Sequence, residues 1–171
     1  MLTKFYIIFQ TEAGWTGLAG SPSGICRTTL PENSRQDAFQ ALGLTEEFQE
    51  SFSDFFSGLV QYFKTFYMGL PVEFRDIIDF SELTNFQKAV YQAAMTIPYG
   101  ETRSYGWIAQ KIGKPLAARA VGQALGRNPL PIIVPCHRVL AANGKLGGFR
   151  GGLTLKQYLL KLESNNKKPP G

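Results

Sequence analysis

Cysteine and histidine are nearly absent: two cysteines, Cys26 and Cys136, and one histidine, His137, in 171 residues. Two cysteines cannot build a disulfide framework and point to a reducing compartment. One histidine with two distant cysteines excludes the common Cys/His zinc patterns, so no metal is expected. No run of about 18 apolar residues occurs, so no helical bilayer span is expected. The first ten residues carry a single lysine and a short apolar run, without a basic n-region, a long apolar h-region or a small-residue cleavage site. A cytoplasmic location (nucleoid-associated in a prokaryote) is therefore expected, with no membrane partner. What is present is ordinary for a globular chain, 44% apolar and 13% aromatic.

Acidic residues are scarce in one half only. Before Phe86, five Lys/Arg face eleven Asp/Glu, a net −6. From Phe86 onward, thirteen Lys/Arg face only Glu101 and Glu163, a net +11. Such asymmetry suits a polyanion-binding half joined to a half that avoids the polyanion. A solvated basic surface with a polar tail around Lys167 and Lys168 is the plainer alternative.

Residues 3–9, 15–19 and 24–30 read as three antiparallel strands separated by Gly, Pro and Ser clusters. A short helix is expected over 34–42 and a longer one over 45–67, where Phe48, Phe52, Phe55, Leu59, Tyr62, Phe63 and Phe66 recur at spacings of three and four. Gly69 and Pro71 end it, and residues 72–80 read as an extended connection or edge strand. A capping-box spacing at Thr84–Gln87 starts a helix near Asn85, with Phe86, Val90, Ala93 and Ile97 on its apolar face. The boundary between an N-terminal and a C-terminal domain falls at 80–85, giving 1–82 and 83–171.

Ser104 is a good N-cap for a helix through Ile112, and Gly113 stops it. A third helix follows Pro115 and ends near Gly126. Two short helices across Gly113-Lys114-Pro115 fit a helix-turn-helix. The second is rich in small residues, Ala117, Ala118, Ala120, Gly122 and Ala124, and carries only Arg119 and Gln123 as long polar readers. Such a helix can dock closely on DNA with little base reading, or pack tightly inside a core.

Residues 128–138 carry the chemistry. Pro129, Pro131 and Pro135 stiffen the approach to Cys136 and remove three backbone donors. The thiolate is the nucleophile, and a free thiol near a pKa of about 8.5 is only slightly ionised at neutral pH. His137 is the one imidazole that could serve as its base. Adjacent residues in extended chain face opposite ways, so a Cys136–His137 contact needs a turn or a bridging water. A catalytic histidine is oriented by an acid, and spacing does not choose between Glu101 and Glu163. The plainer alternative is a buried small hydrophobe beside a surface histidine.

Pro135-Cys136-His137-Arg138, set within residues 132–139, resembles the acceptor motif of the O6-alkylguanine-DNA alkyltransferases (methylated-DNA–protein-cysteine methyltransferases). So do Ala117-Ala118-Arg119-Ala120-Val121-Gly122 and Gly126-Arg127-Asn128-Pro129. Ile97-Pro98-Tyr99-Gly100-Glu101-Thr102 and Gly151-Gly152-Leu153 stand in the matching order, and the resemblance spans 84–163. It implies a ribonuclease H-like α/β N-terminal domain with a small antiparallel sheet. It also implies a mainly α C-terminal domain with a winged helix-turn-helix.

The resemblance further implies single-use DNA repair: Cys136 irreversibly takes the alkyl group from O6-alkylguanine flipped out of double-stranded DNA. His137 acts as base through a water, oriented by Glu163, and Asn128 is a hinge between the helix-turn-helix and the active-site loop. The helix holding Ala118, Arg119, Gly122 and Gln123 enters the minor groove, and Arg119 fills the space of the flipped nucleotide. Tyr105 pushes on the neighbouring phosphate and reaches the base. The carbonyls of Cys136 and Val139 accept from the guanine amino group, while Leu125, Pro131, Phe149 and Arg150 wall the pocket. No cofactor is implied, and a monomer is expected, with cooperative binding on DNA left open. Arg150 and Phe149 depart from a small residue and a tyrosine found in relatives, which leaves the preferred alkyl size open. Cys26 reads as an ordinary strand cysteine. The alternatives are a damage sensor without an acceptor, an unrelated thiol hydrolase and a helix-turn-helix regulator.

Overall fold

Gly-rich turns and short alternating runs in the first thirty residues become a hairpin-linked sheet in the computed structural model, which describes residues 3–52, 54–75 and 78–166. Strands β1 (Lys4–Thr11), β2 (Gly14–Ser21) and β3 (Gly24–Thr28) pair antiparallel in order. A fourth strand, β4 (Phe48–Glu50), pairs parallel with Lys4–Tyr6 of β1, so the order is β3-β2-β1-β4. The sheet is therefore mixed, not antiparallel as expected. The cause is Phe48, whose ring joins the cluster of Ile8, Ala19, Ala38 and Leu42 and holds its segment extended.

Helix α1 (Arg35–Leu42) starts at Ser34, whose hydroxyl accepts from the Asp37 amide. Helix α2 runs Asp54–Tyr67, beginning nine residues later than the aromatic spacing suggests. Its buried face is Phe56, Leu59, Phe63, Phe66 and Tyr67, while Phe52 before it is 80% exposed. A chain this rich in aromatics supports two helical registers, and packing under β1 selects the second: Phe9 meets Phe63 edge-on at 6.3 Å. Neighbouring Ile8 and Phe9 point to opposite faces of the sheet, so α1 covers one face and α2 the other. Between 72 and 80 no strand forms among the described residues. Ile78 makes a single bridge to Ile25, and Asp76 and Ile77 of the expected edge strand lie outside them.

The chain divides into two units, Met1–Glu82 and Leu83–Gly171. In the second, α3 (Asn85–Met95) opens with a full capping box between Thr84 and Gln87. Helix α4 (Tyr105–Lys111) is capped by Ser104, whose hydroxyl accepts from the Trp107 amide. Gly113, at φ 74, makes the left-handed turn that ends it. Helix α5 (Ala118–Gly126) packs on α3 and α4; Ala117 is its N-cap, so Leu116 lies outside it, 99% exposed. Helix α6 (Leu153–Asn165) closes the unit. Two-residue strands β5 (Arg103–Ser104) and β6 (Val139–Leu140) pair parallel, joining the start of α4 to the chain just after Cys136. Lys167 and Lys168 of the polar tail lie outside the described residues.

Candidate active site

Every residue from 130 to 139 is buried, an unusual state for a connecting segment. Asn128 makes this possible. Its amide donates to the Val134 carbonyl at 2.9 Å and its Oδ1 accepts from the Leu130 amide at 2.9 Å. A Val134-to-Leu130 backbone bond of 2.8 Å closes the same loop. Ile132 sits at φ 76, a strained conformation for a β-branched residue, held by this clasp. The chain then turns: Cys136–Arg138 form one turn of 3-10 helix. The extended geometry considered from sequence is thus replaced by the turn that a Cys136–His137 arrangement needs.

His137 is fully buried, not a surface histidine. Its Nε2 lies 2.7 Å from Glu163 Oε1. Glu163 also accepts from Arg138, whose Nε stands 2.9 Å from Oε2 and whose Nη2 stands 2.9 Å from Oε1. The Gly100 amide donates to Oε2 at 3.0 Å, and Arg138 Nη1 donates to the Ile97 carbonyl at 2.7 Å. Burial would push the Glu163 carboxyl up, but the hydrogen bonds and charges of His137 and Arg138 hold it down at about 2. Burial moves His137 down, against the pull of Glu163. The carboxylate is ionised and fixes the tautomer: Nε2–H donates to Glu163, and Nδ1 carries the basic lone pair. Glu101, the other acid of this unit, pairs instead with Arg103 at 2.7 Å.

Cys136 is 8% exposed and free of any disulfide, as is Cys26, whose thiol donates to the Ala19 carbonyl within the sheet. Burial pushes the Cys136 thiol up. The Asn128 side chain, the Lys156 charge and the Cys136 and His137 amides work against that. On the adjoining wall, Tyr105 donates to the Gly148 carbonyl at 3.4 Å. Gly147 has φ 67, and a Cβ there would stand 2.7 Å from the Tyr105 hydroxyl, so only glycine fits. Phe149 is half-buried and Arg150 exposed beside it, while Pro131 and Leu125 are buried. The carbonyls of Cys136 and Val139 already accept, from the Val139 amide and from Lys156 Nζ, leaving each one further lone pair.

On α5, Val121, Ala124 and Leu125 face inward, and Arg119, Ala120 and Gln123 are exposed. Ala118 and Gly122 are half-buried; Gly122 faces the Tyr105 ring at 3.7 Å from its would-be Cβ. The small residues allow the close inward packing raised from sequence, while the outer face carries Arg119 and Gln123. Among the described residues, no group of three or more His, Cys, Asp or Glu could hold a metal ion.

A family model for the DNA-binding domain of 6-O-methylguanine DNA methyltransferase matches residues 85–165. The methylated-DNA–protein-cysteine methyltransferase of Methanosarcina acetivorans is 41% identical over 161 residues, which are 94% of this chain and 99% of that protein. The chain belongs to the methylated-DNA–protein-cysteine methyltransferase family. The family member from Mycobacterium tuberculosis is 54% identical over 110 residues, covering 64% of this chain and 66% of that one. The crystal structure of the O6-methylguanine methyltransferase of M. tuberculosis superimposes with a TM-score of 0.80 at 40% identity, over 98% of this chain and 96% of that one. The same organism's OGT in complex with DNA gives 0.80 at 41% identity, over 94% and 93%.

Two residues of this candidate site escaped the sequence. Arg138 stood in the motif without a role, yet its bonds to Glu163 and Ile97 span 25 and 41 positions. Lys156 is fully buried on α6 and donates to the carbonyls of Val139, Leu146 and Gly148. The one available signal for Lys156 was its seven-residue spacing from Glu163, which places both on one helix face.

Proposed function

We propose that this chain repairs O6-alkylguanine in double-stranded DNA by moving the alkyl group onto Cys136, once per molecule. The observation that carries the reading is the 2.7 Å bond between His137 Nε2 and Glu163 Oε1, one residue from a thiol held in a tight turn. Burial keeps the imidazole neutral and Glu163 fixes its tautomer, with Nδ1 able to take a proton that leaves Cys136 through a water. The thiolate attacks the alkyl carbon. The S–C bond forms, the C–O6 bond breaks, and its electron pair goes to O6 of guanine. Tyr105 is the donor that stabilises or protonates that leaving oxygen, and its raised pKa, from burial and from Cys136, keeps its proton in place until then. The thioether does not hydrolyse, so turnover stops, and the atoms balance without a cofactor.

A base inside a duplex cannot reach a thiol that is 8% exposed. Flipping brings it there, and a damaged pair is cheaper to open. Arg119, exposed on α5, fills the vacated stack, and Ala118, Gly122 and Gln123 line the contact. Asn128 links α5 to the acceptor loop as the hinge. Leu125, Pro131, Val139, Phe149 and Arg150 form the base pocket. In this reading α4 and α5 are the helices of a winged helix-turn-helix, residues 83–171 are the DNA-binding and acceptor domain, and residues 1–82 are a ribonuclease H-like support. The protein works as a cytoplasmic monomer. The test is a time course of methyl removal from labelled O6-methylguanine duplex at several protein concentrations. A plateau at one methyl per protein is expected, and continued turnover overturns the reading.

A further inference from the structure

Two separate segments beside Cys136 each present an arginine that no acid serves. Arg127 is the C-cap of α5 and precedes the buried Asn128, whose clasp fixes the backbone there. Arg150 stands in the turn before α6, closed by the Gly152 amide donating to the Phe149 carbonyl at 3.0 Å. Both residues are exposed. Neither has an ion pair among the described residues. The two acids beyond Phe86, Glu101 and Glu163, are engaged by Arg103 and by His137 and Arg138.

The two charges meet at one buried hydroxyl. Tyr91 of α3 is fully buried and donates to the Ala124 carbonyl at 2.8 Å. Burial, then Cys136, push this hydroxyl up to about 12, and Arg127 and Arg150 oppose them. Both guanidiniums and the acceptor sulfur are therefore within electrostatic reach of a single oxygen. The neighbouring cations are placed differently: Arg119 lies on the exposed face of α5, and Lys156 Nζ is taken up by backbone carbonyls. The dipole of α5 accounts for an arginine at its C-terminal end, but not for Arg150.

We propose that Arg127 and Arg150 form an anion subsite at the rim of the acceptor pocket, which selects O6-carboxyalkylguanines over neutral adducts of the same size. This rests on the repair reading of the site. A guanidinium matches a carboxylate through two parallel N–H donors, and an arginine without an internal acid keeps those donors free. Such an adduct also needs a cation for its chemistry. A thiolate approaching a carbon that bears a carboxylate meets like charge, which a nearby guanidinium offsets. For O6-carboxymethylguanine, the S–CH2 bond forms and the CH2–O6 bond breaks. Its electron pair goes to O6, and the proton released by Cys136 is matched by one taken up by the guanine. Cys136 becomes S-carboxymethylcysteine. A methyl group offers the subsite nothing to bind.

The experiment uses the full-length protein and duplexes identical except for the adduct: O6-carboxymethylguanine, its neutral isostere O6-carbamoylmethylguanine, and O6-methylguanine. Single-turnover rates are measured for the wild type, Arg150→Ala and Arg127→Ala/Arg150→Ala. The readout is the acid-to-amide ratio, because general DNA binding and protein stability act on both duplexes alike. Arg150→Ala should lower that ratio about tenfold, the size of one charge-assisted contact. The double variant should lower it further, and Arg150→Lys should retain part of it, keeping the charge without the fork. An unchanged ratio, with both rates falling together, overturns the proposal and leaves the two arginines as phosphate contacts. Affinity gives an independent reading. Cys136→Ala, which accepts no alkyl group, should bind the acid duplex about tenfold more tightly than the amide duplex in fluorescence anisotropy, and equal affinities overturn the proposal. A wild type that takes no methyl from its duplex would remove the repair reading, while the affinity ratio would still decide the subsite.

Discussion

Glu163 Oε1 and His137 Nε2 stand 2.7 Å apart, with both side chains buried. The same carboxylate holds Arg138 through two of its nitrogens. Glu163→Gln therefore removes the charge that fixes the His137 tautomer and leaves Arg138 buried without its partner. The single-turnover rate is expected to fall on the order of 10²-fold or more. Unfolding free energy should fall by about 3–5 kcal/mol. Stopped-quench kinetics and urea titration check the two effects, and a variant with wild-type rate contradicts the assignment of Glu163.

Acid should weaken the fold through the same group. The Glu163 carboxyl lies at about 2, below its ordinary value near 4.3. The unfolded chain takes up that proton first, so this contribution is full above about pH 4.3 and lost as pH falls through about 2. His137 acts in the same direction: burial holds it below its ordinary value, so stability also declines as pH drops below about 6.5. The urea midpoint should decrease steadily from pH 7 to pH 3. The gap between wild type and Glu163→Gln should narrow over the lower part of that range. A gap that stays constant contradicts the account.

Gly147→Ala tests the wall. It imposes a side chain at φ 67 and a Cβ 2.7 Å from the Tyr105 hydroxyl. A loss of about 1–3 kcal/mol is expected in thermal unfolding, with slower methyl transfer. Adding Tyr105→Phe should recover part of the stability by removing the nearest oxygen, but not the backbone strain. A Gly147→Ala variant as stable as the wild type would show that the wall gives way freely.

Local signals made much of this fold legible. Thr84 and Ser104 cap helices where their spacing places them, and the first three strands follow the Gly-rich turns. The start of α2 was not legible, because Phe48 and Phe52 fit a helical stripe as well as Phe56 does. Only the pairing of Phe48–Glu50 with β1, over forty residues away, settles it. The Cys136-His137 pair stood out by composition, but the turn that joins them did not. Lys156 and Arg138 were invisible for a physical reason: a buried cation satisfied by distant carbonyls or one distant carboxylate leaves no periodic trace.

Arg119 separates binding from chemistry. Arg119→Ala should slow repair of duplex much more than reaction with free O6-benzylguanine, since only the duplex needs its stack filled. Wild-type duplex binding should also weaken steeply with salt, as phosphate contacts release counterions. Equal loss of rate on both substrates would remove Arg119 from the flipping step.

The most direct measurement is intact mass and peptide mapping after incubation with a duplex carrying one O6-methylguanine. The account expects a single added methyl group per protein, located on Cys136, with none on Cys26 and none in Cys136→Ala. A methyl group found elsewhere, or a demethylated duplex with an unmodified Cys136, would contradict it.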